Sequence, residues 1–244
     1  MNQSHKKDLV AEAALDYIEN GCILGIGSGS TVNCFINLLD KVKPKIEACV
    51  SSSELSTQFL KEKNIRIITL AESGKIPLYI DGADEANNHK QLIKGGGGAL
   101  TREKILAQAS DKFVCIIDDT KYVKRLGQFP LPIEVIKIAQ SQIAMNMMGL
   151  DGRPVLRENF ITDNGHIILD IHNLNILEPI KLEQEINNMP GVISNGLFAM
   201  RKADILLVAD ENNIKVYWLI VLKTVLLFLL FLDLLSFSQL FWHP

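Results

Sequence analysis

Short apolar runs alternate with segments of helical periodicity along the first half of the chain. The first helical pattern begins near Lys6 and stops at Gly21, and later helices are expected where hydroxyl or glycine residues precede apolar-periodic segments. One such start carries a candidate capping box, formed by Ser51 and Glu54. The predicted strands are 22–26, 46–50, 65–69, 78–81 and 113–118. This alternation predicts an α/β fold with a Rossmann-like, mostly parallel sheet that binds ligands at the carboxyl ends of its strands.

The pattern changes at residues 129–132, where two prolines separated by one residue cannot continue a helix and make a stiff connection. The elements predicted beyond this point are a helix over 133–148 ended by Gly149, a hairpin turning at 163–165, a helix near 182–187 and a strand over 205–209. We expect the last strand to return to the first sheet. The chain is therefore divided into a Rossmann-like domain of residues 1–128 plus 205–216 and a smaller α+β domain of residues 129–204.

Composition narrows the class of protein. The formal net charge is −3, and the basic residues form no patch that could follow a phosphate backbone, so nucleic acid is not an expected partner. The four cysteines have no CxxC spacing, and the histidines form no ligand motif, so neither disulfides nor a metal site is predicted. The N-terminus lacks the continuous apolar stretch of a signal peptide, and a cytoplasmic location is expected.

A run of four glycines at 95–98 is the strongest candidate for chemistry. Lys94 precedes it, and a helix-like segment that carries Glu103 follows it directly. Glycine amides at a helix N-terminus, next to a cation, form a site for an anion or for an oxygen that becomes negative during a reaction. A flexible linker is the alternative, but linkers are usually followed by more polar sequence.

Two further motifs follow predicted strands. The segment 79–85 sets Asp81, Asp84 and Glu85 close together, and carboxylates this close shift one another's pKa. The segment 25–31 offers backbone amides and hydroxyls at a helix N-terminus, as phosphate-binding loops do. Because it lacks the last glycine of a dinucleotide fingerprint and the lysine of a P-loop, it suits a monophosphate ester better than a pyrophosphate.

Together these motifs resemble those of the ribose-5-phosphate isomerase A family. The matching segments are GIGSGST at 25–31, VSSSELST at 50–57, YIDGADE at 79–85, KGGGGALTREK at 94–104, DDTK at 118–121, GQFPLPIEV at 127–135, TDNGHIILD at 162–170 and PGVISNGLF at 190–198. They occur in the family's order, and the resemblance extends from about residue 6 to residue 216. Ser28 stands where relatives often carry threonine, which keeps the hydroxyl.

The resemblance implies interconversion of ribose 5-phosphate and ribulose 5-phosphate through an ene-diolate, without a metal or an organic cofactor, by a homodimer. Glu103 matches the family's base, Lys94 is placed to stabilise the ene-diolate, and Asp81 with Asp84 resembles the pair that exchanges protons with the sugar's ring oxygen and hydroxyls. The expected substrate-binding residues are Lys7, Ser28, Gly29, Ser30, Thr31, Asp81, Gly82, Ala83, Asp84, Lys94, Gly95, Gly96, Gly97 and Lys121.

Two other functions remain open at this stage. A sugar-phosphate sensor of similar fold would keep the pocket without chemistry, although a pure binder needs neither a positioned base nor an oxyanion donor. An aminosugar-phosphate isomerase–deaminase of similar fold would use a histidine near its acid and base, and the nearest candidate is His89.

The segment 217–244 departs from the family and differs in composition, because both tryptophans and four of the ten phenylalanines lie in it. About 20 apolar residues span a bilayer, and 217–241 is long enough. Lys223 and Asp233 count against insertion, at roughly 2.5–3.5 kcal/mol each near a helix centre. We favour a tail foreign to the enzyme, then a buried or partner-facing helix, and only then a membrane contact.

Overall fold

Residues 3–218 are described by the computed structural model of the chain, and the apolar segment 219–244 lies outside them. The helices are α1 Gln3–Ala14, α2 Ser30–Leu38, α3 Glu54–Glu62, α4 Leu70–Ser73, α5 Leu100–Ala109, α6 Gln140–Gly149 and α7 Pro179–Asn187. The strands are β1 Cys22–Ile26, β2 Ile46–Ser51, β3 Ile76–Asp81, β4 Glu85–Ala86, β5 Leu92–Ile93, β6 Ser110–Asp118, β7 Leu131–Val135, β8 Arg153–Leu156, β9 Ile167–His172, β10 Val192–Asn195, β11 Leu197–Phe198, β12 Ile205–Ala209 and β13 Ile214–Tyr217.

A six-stranded sheet in the order β13-β12-β6-β3-β1-β2 forms the centre of the molecule. All neighbouring strands are parallel except β12 and β13, which are antiparallel. Its inner strands are apolar almost throughout because both faces of the sheet are covered. The predicted mostly parallel α/β sheet is confirmed, and so is the return of strand 205–209 to it.

The strand order reverses next to β1, which places the candidate site. The chain runs from β1 outward to β2 and then returns to β3 on the other side of β1. Parallel sheets have a crevice at the carboxyl ends of the two strands where the order reverses. The segment 25–31 leaves β1 there, and Asp81 ends β3 beside it.

Two smaller sheets complete the fold. An antiparallel sheet in the order β10-β7-β9-β8 has its own apolar core, in which Ile143 of α6 and Ile186 of α7 pack against the strands. A three-stranded sheet in the order β11-β5-β4 joins this region to the central sheet. Strand β5 ends at Ile93, so it delivers Lys94 and the glycines to the crevice.

Several local predictions were wrong. Residues 133–135 belong to strand β7, and the helix predicted from 133 begins only at Gln140, because an apolar run too short to show a period is compatible with strand or helix. Residues 65–69 form one isolated bridge, between Cys49 and Ile67, rather than a strand. Helix α3 is capped by Ser53, whose hydroxyl accepts the Ser56 N–H, instead of by Ser51.

The first helix is shorter than predicted, since α1 ends at Ala14 and a 3₁₀ turn follows. The turn predicted at 163–165 is present, with the Gly165 N–H donating to Thr162 O at 2.9 Å in the connection from β8 to β9. None of the helices within residues 3–218 is both long and apolar enough to cross a bilayer.

Candidate active site

Loops from three parts of the chain surround a cavity of about 310 Å³ at the reversal point of the central sheet. The cavity is lined by Gln3, Lys7, Ser28, Gly29, Ser30, Thr31, Gly82, Ala83, Asp84, Lys94, Gly95, Gly96, Gly97, Glu103 and Lys121. All the site residues predicted from the sequence line it except Asp81. The motifs separated along the chain therefore meet in one place.

The loop after β1 is fixed to the end of β3 by its backbone. The Gly27 N–H donates to Ile80 O at 2.9 Å, and the Ser28 N–H donates to Asp81 Oδ1 at 3.1 Å. Gly29 has a φ of 98°, a conformation that favours glycine, and it precedes the first turn of α2. The loop thus presents the N-terminus of α2, where an anion is stabilised, to the cavity.

Lys94 is the buried cation of the site, with 2% of its surface exposed. Its Nζ lies 2.7 Å from Asp81 Oδ2 and 3.2 Å from Glu103 Oε2, and it donates to Gly82 O at 2.7 Å. Burial alone would lower the pKa of Lys94, but the two carboxylates outweigh it and raise that pKa above its ordinary value. The amine therefore carries its charge at neutral pH.

Asp81 lies behind the cavity wall and is fully buried. Its carboxylate accepts hydrogen bonds from the Tyr79 hydroxyl, the Gly82 N–H and the Ser28 N–H, in addition to its ion pair with Lys94. Every oxygen of this carboxylate has a partner within the protein. Asp81 thereby joins the end of β3, the loop after β1 and the ammonium group of Lys94.

Glu103 lies in the first turn of α5 with 3% of its surface exposed. The Ser28 hydroxyl donates to Glu103 Oε1 at 2.7 Å, so a residue expected to bind phosphate instead contacts this carboxylate. Burial raises the pKa of Glu103 to about 7, and the nearby charge of Asp81 adds to the rise against the opposing effect of Lys94. A carboxyl with such a pKa both accepts and releases a proton at neutral pH.

Asp84 is the second carboxylate on the cavity surface. Its Oδ2 accepts the N–H of Gly96 at 2.8 Å. Burial raises the pKa of Asp84, while the Gly96 N–H and the charge of Lys94 oppose this shift. Asp84 therefore joins the segment 79–85 to the glycine turn and remains open to a bound molecule.

Two lysines besides Lys94 line the cavity. Lys7 on α1 donates to the Ser30 hydroxyl at 2.9 Å, and Lys121 ends the 3₁₀ turn Asp119–Lys121. Lys6 fastens α1 to that turn, since its Nζ donates to Asp119 Oδ1 at 2.8 Å. These two lysines, the hydroxyls of Ser30 and Thr31 and the N-terminus of α2 all line the cavity, and such groups stabilise a bound anion.

Sequence patterns missed Gln3, which lines the cavity one helical turn before Lys7. The spacing of four residues on α1 was the available signal, because such residues share a helix face. His89 is exposed in a loop, and no histidine of residues 3–218 lines the cavity. Within the same residues, no three His, Cys, Asp or Glu side chains are grouped so that they could bind a metal ion.

Comparison with known proteins gives concordant matches. Residues 48–213 match the family described as ribose 5-phosphate isomerase A (phosphoriboisomerase A). The ribose-5-phosphate isomerase A of Xylella fastidiosa strain M12 is 53% identical over 209 residues, which cover 85% of this chain and 97% of that relative.

Solved structures agree with this relationship. Ribose 5 phosphate isomerase A from Neisseria gonorrhoeae has a TM-score of 0.87 at 44% identity, over 89% of this chain and 97% of that chain. A D-ribose-5-phosphate isomerase in complex with phospho-erythronic acid has a TM-score of 0.85 at 36% identity, over 88% of this chain and 99% of that chain.

Proposed function

The chain belongs to the ribose-5-phosphate isomerase A family and interconverts D-ribose 5-phosphate and D-ribulose 5-phosphate, and we propose that Glu103 transfers the proton while Lys94 stabilises the intermediate. The observation that supports this assignment most is the buried pair itself. Glu103, with a pKa of about 7, lies 3.2 Å from the Lys94 ammonium on the wall of one cavity.

Glu103 acts as the base in this proposal. Isomerisation of the open-chain sugar requires a proton to leave carbon 2 and a proton to arrive at carbon 1. A single carboxylate beside both carbons performs both steps, because its pKa near neutrality disfavours neither uptake nor release. The Ser28 hydroxyl at 2.7 Å from Oε1 fixes the carboxyl group, leaving Oε2 on the side of Lys94.

Lys94 and the amides of the glycine turn stabilise the intermediate. Negative charge develops on the oxygens at carbons 1 and 2 in the ene-diolate, and donors that are already fixed there lower the barrier. Phospho-erythronic acid, which is found in complex with a relative, carries a carboxylate that imitates these two oxygens. We expect it to bind the same cavity in this chain.

Asp84 exchanges a proton with the ring oxygen as the closed sugar opens. It lies on the cavity surface, and burial has raised its pKa, which suits a group that must accept and return a proton. Asp81 is fully buried and already has four donors. We therefore assign Asp81 a role through Lys94, whose position and charge it sets.

The phosphate group is proposed to bind against Ser30, Thr31 and the N-terminus of α2, with Lys7 and Lys121 beside it. Gly29 and Ser30 contribute backbone amides, and Lys7 contributes a positive charge. The carbonyl end of the sugar then faces Glu103. The contacts support this orientation because Lys7 donates to the Ser30 hydroxyl, whereas Glu103 pairs with Lys94.

Replacing Lys7 by methionine is expected to raise KM for ribose 5-phosphate by about tenfold to a hundredfold, with kcat changed by less than about threefold. A hydrogen bond to a charged group contributes about 1.5–3 kcal/mol to binding, and Lys7 does not contact the reacting carbons in this orientation. Steady-state kinetics check this expectation. The matched control is Lys61→Met, which changes an exposed lysine on α3. A loss of kcat at unchanged KM would place Lys7 at the wrong end of the substrate.

The rate is expected to depend on pH through Glu103. The pKa of this carboxyl is raised to about 7, so the ionised base is present above that pH and disappears as the pH falls through it. We expect kcat/KM to fall about tenfold for each pH unit below 7. The substrate phosphate also titrates, with a pKa of about 6. Inhibition by phospho-erythronic acid is therefore measured over the same pH range, to separate the effect of the phosphate from that of Glu103. An acid limb near the ordinary pKa of a glutamate would contradict this assignment.

The proposal also covers the domains, the cellular location, the oligomeric state and the independence from metal. Residues 1–128 plus 205–216 form the catalytic domain, and residues 129–204 form a smaller α+β domain. The enzyme is a homodimer and is located in the cytoplasm. Exposed apolar side chains on the smaller domain, such as Ile138, Ile161 and Leu177, support the dimer. The reaction needs no metal, since Lys94 supplies the positive charge beside the reacting oxygens.

An assay of purified full-length protein with ribose 5-phosphate, in the presence of a metal chelator, tests the proposed chemistry. Formation of ribulose 5-phosphate is the expected result, with phospho-erythronic acid as a competitive inhibitor. Folded protein that binds phospho-erythronic acid but forms no product would instead support a sugar-phosphate sensor. Activity that the chelator abolishes, and that an added metal restores, would contradict the metal-free mechanism.

A further inference from the structure

Arg157, just after strand β8 of the small antiparallel sheet, reaches across to the glycine turn of the active site. Its Nη1 donates to Gly95 O and to Gly96 O, each at 3.1 Å. The two carbonyls belong to consecutive peptide groups at the cavity wall. The guanidinium is thus the side chain that binds the outer face of this turn.

The orientation of these peptide groups decides where their N–H groups point. In a trans peptide the C=O and N–H bonds point in opposite directions, and residues 3–218 contain no cis peptide bond. The carbonyls of Gly95 and Gly96 face Arg157, so the N–H groups of Gly96 and Gly97 face the other way. The first of them donates to Asp84 Oδ2 at 2.8 Å, and Gly97 lines the cavity.

The Gly98 N–H also donates to Gly95 O at 2.9 Å, and Arg157 adds a charged donor to the carbonyls of both Gly95 and Gly96. Gly95 has a φ of 101°, and a segment of consecutive glycines has many accessible backbone conformations. A peptide that rotated by half a turn would present a carbonyl oxygen to the developing negative charge. A cation on both carbonyls favours the orientation in which N–H groups meet that charge, and it strengthens their dipoles.

Arg157 is itself held rigidly. Its Nε donates to Asp170 Oδ2 at 2.9 Å and its Nη2 donates to Asp170 Oδ1 at 2.5 Å, a bidentate pair with a residue of β9. The Phe160 ring lies 5.3 Å from the guanidinium carbon. The same ring packs on Gly98, where any Cβ would collide with it. The smaller domain therefore supplies a fixed cation to the catalytic turn.

We propose that Arg157 is a positioning residue for the isomerisation, acting by holding the amides of Gly96 and Gly97 toward Asp84 and the ene-diolate. This inference rests on the proposed function of the cavity. Asp170 orients Arg157, and Arg157 orients the turn. Lysine cannot replace it, since one ammonium group cannot bind two carbonyls and form a bidentate pair with Asp170 at the same time.

The test compares Arg157→Gln, Arg157→Lys and Asp170→Asn with Arg153→Gln, an exposed arginine of β8, as the matched control. For each variant we measure kcat, KM and the inhibition constants of phospho-erythronic acid and inorganic phosphate. We expect Arg157→Gln to lower kcat by about 30- to 100-fold and to weaken phospho-erythronic acid at least about tenfold. The inhibition constant of inorganic phosphate should stay within about twofold of wild type, because the phosphate end does not depend on this turn.

Arg157→Lys should recover less than about a third of the lost kcat, Asp170→Asn should lower kcat by about three- to tenfold, and Arg153→Gln should match wild type. If Arg157→Gln does not fold by circular dichroism, Arg157→Lys and Asp170→Asn decide the question with the same two inhibitors. Unchanged kcat, or equal weakening of both inhibitors, would reduce Arg157 to a structural link and overturn the inference. Inactive wild-type protein would contradict the proposed function instead.

Discussion

Replacing Glu103 by glutamine is expected to lower kcat by about four orders of magnitude, because the amide cannot accept the proton from carbon 2. A positioned general base contributes roughly 10²–10⁴ in rate, and the same group also returns the proton to carbon 1. Glutamine has nearly the same shape, and its carbonyl oxygen still accepts the Ser28 hydroxyl that now bonds Oε1. Stopped-time or steady-state assays of ribulose 5-phosphate formation measure the loss of kcat.

Binding separates this result from misfolding. The variant should bind phospho-erythronic acid within about tenfold of wild type, since Lys94 and the glycine amides are retained. Glu185→Gln, a change of the same kind at an exposed position of α7, should have wild-type kinetics. A folded Glu103→Gln protein that kept more than about a tenth of wild-type kcat would assign the proton transfer to another group.

Replacing Lys94 by methionine should impair both catalysis and stability. We expect kcat to fall by about 10²–10³, the usual effect of removing one donor from developing negative charge. The free energy of unfolding should fall by about 3–5 kcal/mol, because Asp81 and Glu103 lose the buried cation that lies 2.7 Å and 3.2 Å from their oxygens. Kinetics and denaturant unfolding of the same preparation measure the two effects.

A second variant separates the two roles of Lys94. Adding Asp81→Asn to Lys94→Met removes one uncompensated charge, so part of the lost stability should return while kcat stays low. Lys104→Met is an unsuitable control because that amine also pairs with a buried carboxylate, Glu183, whereas Lys61→Met changes only an exposed lysine. Wild-type stability in Lys94→Met would show that the buried carboxylates do not depend on this cation.

Much of the fold follows from local pattern. The alternation of short apolar runs with helical segments gave the parallel sheet, since strands covered on both faces are apolar throughout. Strand β7 was missed because it contains Pro132, and proline is unusual in an interior strand. In the structure Pro132 lies opposite Asp170 of β9. Local propensity there yields to the packing of the smaller sheet.

The lining of the cavity was predictable where its residues are neighbours in sequence. The segments 25–31, 79–85 and 94–103 each lie at the end of a strand, and the packing of two sheets brings the three together. The contacts between them were beyond a sequence pattern. The hydroxyl of Ser28 binds Glu103 across 75 positions, and Arg157 binds Gly95 across 62. Such pairs are set by the arrangement of the sheets, which residue spacing alone does not specify.

The burial of Asp81 shows the same limit. Sequence places Asp81 and Asp84 as equal members of one acidic motif, three positions apart. At the end of β3, Asp81 points into the protein, where it bonds to Tyr79 and Lys94. Asp84 lies on the cavity surface. Which carboxylate meets substrate therefore depends on tertiary structure.

The fate of the hydrogen on carbon 2 tests proton transfer through Glu103 most directly. It is followed by NMR during isomerisation of ribose 5-phosphate in D₂O with a metal chelator present. A proton taken up by Glu103 exchanges with solvent, so wild-type enzyme should place deuterium on carbon 1 of ribulose 5-phosphate. Glu103→Gln should show neither exchange nor product. Product formation or exchange undiminished in folded Glu103→Gln would contradict proton transfer through this carboxylate.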